Sequence, residues 1–140
     1  GGSSVQIASD GALTRLSSSI KYKTDVQYET DATTSEKFMT LDPATWQDKG
    51  EVEQLKRFHE TGEMPDRAMD MNGRRYYGMI AEDLVKAGLD DFVLRDDITG
   101  ELQGIQYEKI GIALIPMLRE HNNTINELKL EIERLKEAIK

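Results

Sequence analysis

The sequence has no cysteine, two histidines, three prolines and no apolar run long enough to cross a bilayer. Without cysteine the chain can form neither a disulfide nor a thiolate metal site. Only His59 and His121 could offer an imidazole to a metal ion. The sequence therefore predicts no metal site and no cofactor, and it gives no reason to expect a membrane partner.

Positive charge is also scarce, because 18 lysine and arginine residues face 26 acidic ones and the formal net charge is -8. A chain of this sign repels a phosphate backbone, so nucleic acid is not an expected partner. The rest of the composition, 38% hydrophobic and 31% charged in 140 residues, is typical of a single folded domain. We expect a modest core and one extended element.

The extended element is a long helix predicted over residues 107–140, which carries a heptad repeat. The seam has Leu118, Ile125, Ile132 and Ile139 at a positions, and His121, Leu128 and Leu135 at d positions. A lone helix would leave this narrow apolar stripe in water, so the pattern predicts a parallel coiled coil between copies of the chain. Isoleucine at a with leucine at d favours two strands. The alternative is a helix folded back on its own domain.

Ahead of this helix the patterns are short and mixed. Residues 1–17 are small and glycine-rich, which predicts a short strand and turn belonging to an upstream β structure or a linker. Residues 18–106 predict an α+β head of β-hairpins and short helices. Within it we expect an amphipathic helix over 51–60 and a hairpin whose strands lie near 92–94 and 102–106.

Several single residues carry weaker signals. Asp42 before Pro43 has the form of a helix cap and first helical residue, which predicts a helix or turn start. Pro116 removes one backbone hydrogen bond and predicts a kink in the long helix. We interpret the single tryptophan, Trp46, as a core or interface anchor. We interpret His59, which lies beside the apolar face of the predicted amphipathic helix, as a partly buried packing residue.

Residues 16–25, LSSSIKYKTD, alternate as a strand does. A serine and a neutral lysine can act as nucleophile and base, and burial away from water favours a neutral lysine. Ser18 and Lys23 are the candidates. On a strand, residues five apart face opposite sides, so these two could meet only across a turn or between strands or chains. A polar strand with solvated lysines is the alternative.

Three short motifs precede the heptads in a fixed order: SSIKYK at 18–23, YGMIAED at 77–83 and GIQYE at 104–108. Together with the terminal coiled coil, this order resembles the intramolecular chaperone domain of phage tailspikes and endosialidases, the peptidase S74 family. The neck appendage (tailspike) proteins of small Bacillus phages are among the proteins with such a domain. The resemblance covers residues 18–140.

This resemblance implies a homotrimeric chaperone at the end of a virion tail or neck spike that is made in the host cytoplasm. Such a domain aligns three chains, assists folding of the upstream triple β-helix and then cuts itself off. In the family, a serine followed five residues later by a lysine forms the cleavage dyad. Ser18 and Lys23 have this spacing, which implies a cut between Ser17 and Ser18. Lys21 occupies the family's basic position, whereas Ser19 stands where aspartate is common.

Two classes of function therefore compete. The first is a serine endopeptidase that cuts its own chain once and thereby releases residues 18–140, with head 18–106 and stalk 107–140. The second is a permanent trimerisation clamp in which the serine and lysine are surface residues. A hydrolase of external substrates has less support, because the sequence contains no Gly-rich phosphate loop or nucleophile elbow.

Overall fold

A computed structural model describes residues 4–7, 13–16, 18–65 and 71–140, and for the first two segments it describes the backbone. These residues form three two-stranded antiparallel sheets and five α-helices. The elements are β1 (Ser4–Ile7), β2 (Leu13–Leu16), α1 (Thr33–Phe38), β3 (Ala44–Trp46), α2 (Lys49–Thr61), β4 (Tyr76–Gly78), α3 (Ala81–Lys86), β5 (Val93–Arg95), β6 (Leu102–Ile105), α4 (Tyr107–Ala113) and α5 (Ile115–Ala138). The predicted mixture of helix and sheet with a long C-terminal helix is confirmed.

The first two strands form a hairpin in which Ser4 lies opposite Leu16 and Ile7 opposite Leu13. The strand that alternation predicts over 16–25 is wrong for residues 18–25. The chain instead makes a single 3₁₀ turn at Ile20–Tyr22. The physical reason is local, because the side chain of the preceding serine caps this turn, and a serine in that position competes with extended structure.

Helix α2 confirms the amphipathic helix predicted over 51–60. The Asp48 side chain accepts a hydrogen bond from the Glu51 amide at 2.9 Å, and Gly62 ends the helix at φ 75°. A glycine adopts this left-handed backbone without steric cost. Of the helix or turn start predicted at Asp42 and Pro43, the helix is wrong, because the residues that follow pair with β4 as strand β3.

The hydrophobic core lies where α1, α3 and the β5–β6 hairpin meet. Its fully packed members are Phe38, Leu84, Leu89 and Val93. The rings of Phe38 and Phe92 meet edge to face with centroids 4.9 Å apart, a favoured aromatic geometry. Because this core draws residues from helix and hairpin alike, it joins these elements of the head by tertiary packing.

The β5–β6 hairpin confirms the one predicted near residues 92–106, with Val93 opposite Ile105. Its turn is organised by Asp96, whose carboxylate accepts hydrogen bonds from the amides of Ile98 at 2.9 Å and Thr99 at 2.8 Å. These amide donors favour the charged carboxylate and hold the pKa of Asp96 below its usual value.

The C-terminal helix is divided in two. Helix α4 ends before Leu114, and α5 begins with Pro116 in its first turn, where a missing amide hydrogen costs least. The kink predicted at the proline is therefore a break slightly earlier in the chain. Met117 is buried against the head, whereas every residue of 118–140 is exposed. The described helix thus leaves the head, and the alternative of a folded-back helix is wrong.

Candidate functional site

Ser18 and Lys23 lie on either side of the 3₁₀ turn, and both residues are exposed. The turn removes the strand geometry that would point residues five apart to opposite faces. Lys23 Nζ donates to the backbone carbonyl of Ser19 at 3.4 Å. The turn therefore brings the lysine head group back to the residue next to the proposed nucleophile. Ser17, on the other side of the predicted cut, lies outside the described residues.

Ser19 is the hub of this turn. Its carbonyl accepts a second hydrogen bond from the Tyr22 amide at 3.2 Å, and its Oγ accepts one from the Lys21 amide at 3.4 Å. Lys21 Nζ lies 5.0 Å from the centroid of the Tyr22 ring, within cation–π range. Sequence reasoning missed this role of Ser19, although serine is among the residues that best cap a helical turn.

Apolar side chains along residues 20–28, the segment that includes Lys23, are exposed in the single chain. Ile20 is 66% exposed, Tyr22 55% and Tyr28 86%. Water stabilises the charged form of a lysine, and a covering surface would favour the neutral form. A neighbouring molecule that packed on this segment would therefore bury apolar area and, at the same time, exclude water from Lys23, the candidate base.

The heptad seam is exposed along the whole of α5. Its residues Leu118, Ile125, Leu128, Ile132 and Leu135 are between 50% and 58% exposed, and His121 is exposed as well. Ile139 is 85% exposed and caps the end of α5, so it is the last residue of the seam. A regular stripe of half-exposed aliphatic side chains on one helix face is the form that a coiled-coil strand takes before its partners are added.

Charged side chains beside the seam are placed where they could form ion pairs with a second, parallel copy of the helix. Glu131 occupies a g position and Lys136 the following e position, the pair that forms ion pairs between neighbouring parallel helices. Within one chain, Glu131 lies 3.2 Å from Arg134, and Lys136 lies 3.4 Å from Glu133. These exposed pairs contribute little by themselves. They leave the same groups on the surface, where a neighbouring copy could reach them.

An apolar groove of about 620 Å³ opens at the base of the stalk. Its lining includes Phe38 and Tyr77 of the head and Leu114 and Met117 of the stalk. Leu114 lies seven residues before His121 and so continues the d positions of the seam. The exposed seam and this groove therefore form adjoining apolar surface, which copies wound along α5 would face.

Two of the three sequence motifs meet beneath this groove. The Tyr107 hydroxyl accepts a hydrogen bond from the Met79 amide at 2.9 Å. Gly78 passes so close that a Cβ there would lie 2.6 Å from the Tyr107 hydroxyl and 2.9 Å from the Trp46 ring. The middle motif and the motif that opens α4 thus form one structural joint between head and stalk, a role that the sequence alone did not reveal.

Comparisons of the chain with models of protein families, with curated proteins and with solved structures find no match. The family resemblance therefore rests on the three motifs and the heptads. No helix among the described residues combines the length and the apolar character needed to span a membrane.

Proposed function

We propose that this chain is a C-terminal intramolecular chaperone, which trimerises a phage tailspike or neck appendage and assists folding of its triple β-helix. It then releases itself by cutting between Ser17 and Ser18. In this proposal residues 1–17 belong to the upstream spike, and residues 18–140 form the released chaperone. The observation that carries the proposal is the turn that returns Lys23 to the residue beside Ser18.

The reaction follows from the chemistry of these two side chains. Neutral Lys23 takes the proton of the Ser18 hydroxyl as its Oγ attacks the carbonyl carbon of Ser17. The Ser17–Ser18 amide bond breaks, the lysine ammonium returns the proton to the leaving nitrogen, and an ester joins Ser17 to Ser18 Oγ. Water then hydrolyses the ester. The products are one chain that ends at Ser17 and one that begins at Ser18.

Assembly provides the control in this mechanism. The exposed aliphatic seam favours association, whereas the exposed segment around Lys23 keeps the lysine hydrated in a single chain. Packing of neighbouring copies over Ile20 and Tyr22 would remove that water and favour the neutral amine. Cleavage would then follow the completed trimer. The released spike would persist because its unfolding is slow.

The second candidate function is a clamp that trimerises the spike and is never removed. The exposed positions of Ser18 and Lys23 in the single chain favour it, because hydrated lysines are poor bases. In both candidates the coiled coil has the same role. The two candidate functions differ only in whether the Ser17–Ser18 peptide bond is cut, so a measurement of that cleavage distinguishes them.

The test of cleavage is the intact mass of the purified full chain, followed over days near neutral pH and at alkaline pH. We expect a fragment that begins at Ser18, which forms faster at alkaline pH, where more lysine is neutral. Ser18→Ala and Lys23→Ala should abolish it, whereas Lys86→Ala, an exposed lysine on α3, should not. If wild type stays intact in the trimeric state, the chain is a clamp and the protease proposal fails.

The test of trimerisation uses a matched pair on α5. Leu130 is 70% exposed on the outer f position, and Ile132 is 50% exposed on the seam. An aspartate at position 132 would place charges in the apolar interface, whereas one at position 130 would remain in water. Sedimentation should therefore find trimers for wild type and Leu130→Asp, and monomers for Ile132→Asp. Equal masses for the two variants would rule out this seam as the interface.

A further inference from the structure

His121 interrupts an otherwise aliphatic seam. It occupies the d position between Leu118 and Ile125, and the structure places it on the exposed face of α5. A parallel coiled coil in register puts the same residue of every strand in one layer. In the trimer of the proposed function, on which this inference rests, three imidazoles would therefore surround the symmetry axis between two aliphatic layers.

Such a layer needs a polar partner for its ring nitrogens, because an unpaired buried polar group is destabilising. The flanking g and e positions hold Met117, Thr124 and Asn122, none of them charged. The nearest charged residues, Arg119 and Glu120, occupy the outer b and c positions. The seam thus offers no carboxylate beside the rings, and three like charges between aliphatic layers would repel one another. The ring nitrogens of such a layer would therefore have no charged partner from the seam itself.

We propose that the three His121 rings of a trimer bind one divalent transition-metal ion. Neutral imidazole is a common ligand of zinc, nickel and copper, and three imidazoles with a water molecule form an established coordination set. Within one chain, the described residues contain no group of three or more histidine, aspartate and glutamate side chains that could hold an ion. The expectation of no metal site counted the histidines of a single chain, whereas this site is complete only when three copies meet.

A bound ion would act on assembly. It would link the three helices at one level and so fix their register, and it would offset the destabilisation that a polar layer brings to a coiled coil. It would also favour three strands over the two that the aliphatic pattern alone favours. The site lies one heptad beyond Leu114, which lines the groove at the base of the stalk. The alignment of the three helices at His121 therefore determines how the three heads face one another.

The experiment uses the untagged full chain, treated with EDTA and then dialysed. Sedimentation gives the oligomeric state, and calorimetric titration with zinc chloride gives the stoichiometry. We expect about one zinc ion per three chains and a higher melting temperature with zinc. His121→Asn, which keeps a polar d layer, should lose both effects. His59→Ala, which removes the other, exposed histidine, should keep both.

The outcomes separate this inference from the function on which it rests. A wild-type trimer that binds no zinc, or whose zinc binding survives His121→Asn, overturns the metal site and leaves the trimeric chaperone standing. A chain that stays dimeric or monomeric with zinc as well as without it overturns the trimer and the metal site together. Cleavage at Ser18 is read separately by mass, so its absence does not alter either conclusion.

Discussion

The Ser35 hydroxyl donates a hydrogen bond of 2.5 Å to the backbone carbonyl of Ala113. Ser35 lies on α1 and has no exposed surface, and Ala113 is the last residue of α4. Backbone carbonyls at a helix end lose their regular partners, so a side-chain donor there satisfies a group that would otherwise need water. The bond fixes the base of the stalk to the head.

Ser35→Ala should destabilise the head by about 1–3 kcal/mol, because the substitution removes a buried donor from the part-buried carbonyl of Ala113. Urea unfolding followed by circular dichroism measures the change. Glu36→Ala, on the exposed side of the same helix, should change stability by less than about 0.5 kcal/mol. If the two variants unfold at the same urea concentration, the bond to Ala113 does not hold the stalk.

The sequence predicted those parts of the fold that local signals control. Helix α2 has an aspartate cap and a closing glycine within its own segment, and the β5–β6 hairpin has its turn residues between its strands. The extended assignment of residues 16–25 failed because a polar alternating pattern fits a strand, while a single capped turn leaves no periodic signal. Ser35 was also missed, because its partner lies in another helix far along the chain.

In the candidate site, too, local features could be predicted from the sequence and tertiary ones could not. The spacing of Ser18 and Lys23 is a local feature and could be read directly, whereas the hydrogen bonds at Ser19 depend on backbone conformation. The joint between Met79 and Tyr107 brings distant motifs together through tertiary packing. The heptad pattern favours two strands but does not fix the number of strands in the predicted coiled coil, because that number depends on contacts between copies.

Gly78→Ala should destabilise the joint between head and stalk. A Cβ at this position would lie 2.6 Å from the Tyr107 hydroxyl and 2.9 Å from the Trp46 ring, so side chains or backbone must move. Overpacking of this kind costs about 1–3 kcal/mol. Thermal unfolding should therefore show a lower melting temperature for Gly78→Ala than for wild type.

Gly111→Ala is the matched control, because a Cβ there would meet nothing within 4 Å and the residue lies inside α4. Alanine is favoured over glycine within a helix by about 1 kcal/mol. The same substitution should therefore raise the melting temperature at position 111 and lower it at position 78. A change of the same sign at both positions would contradict the close approach at Gly78.

The Tyr76 hydroxyl donates a hydrogen bond of 2.7 Å to the Glu51 carboxylate, and this bond raises the pKa of Tyr76 above its ordinary value of 10.0. Because the folded pKa is the higher one, the bond contributes fully below pH 10.0 and is lost as pH rises through the folded pKa. The difference in unfolding free energy between wild type and Tyr76→Phe should therefore be smaller at about pH 11 than at about pH 8.

Tyr77→Phe is the control for this alkaline effect. Tyr77 follows Tyr76 in β4, and its side chain is 74% exposed. The difference in unfolding free energy between Tyr77→Phe and wild type should stay near zero at about pH 8 and at about pH 11 alike. A constant difference for Tyr76→Phe over the same range would show that the bond to Glu51 does not contribute to stability.

The hydrogen bonds of Ser19 predict its effect on the proposed self-cleavage. Its Oγ caps the turn through the Lys21 amide, and its carbonyl holds Lys23 Nζ. Ser19→Ala keeps the carbonyl and removes the cap, which is worth about 1 kcal/mol, so the turn should form about fivefold less often and cleavage should slow by that factor. Ser19→Asn retains a capping oxygen and should restore most of the rate. The measurement is the rate of appearance of the fragment that begins at Ser18, with the trimer fraction determined in parallel by sedimentation. Equal rates for alanine and asparagine in equally trimeric samples would show that the cap does not position the lysine.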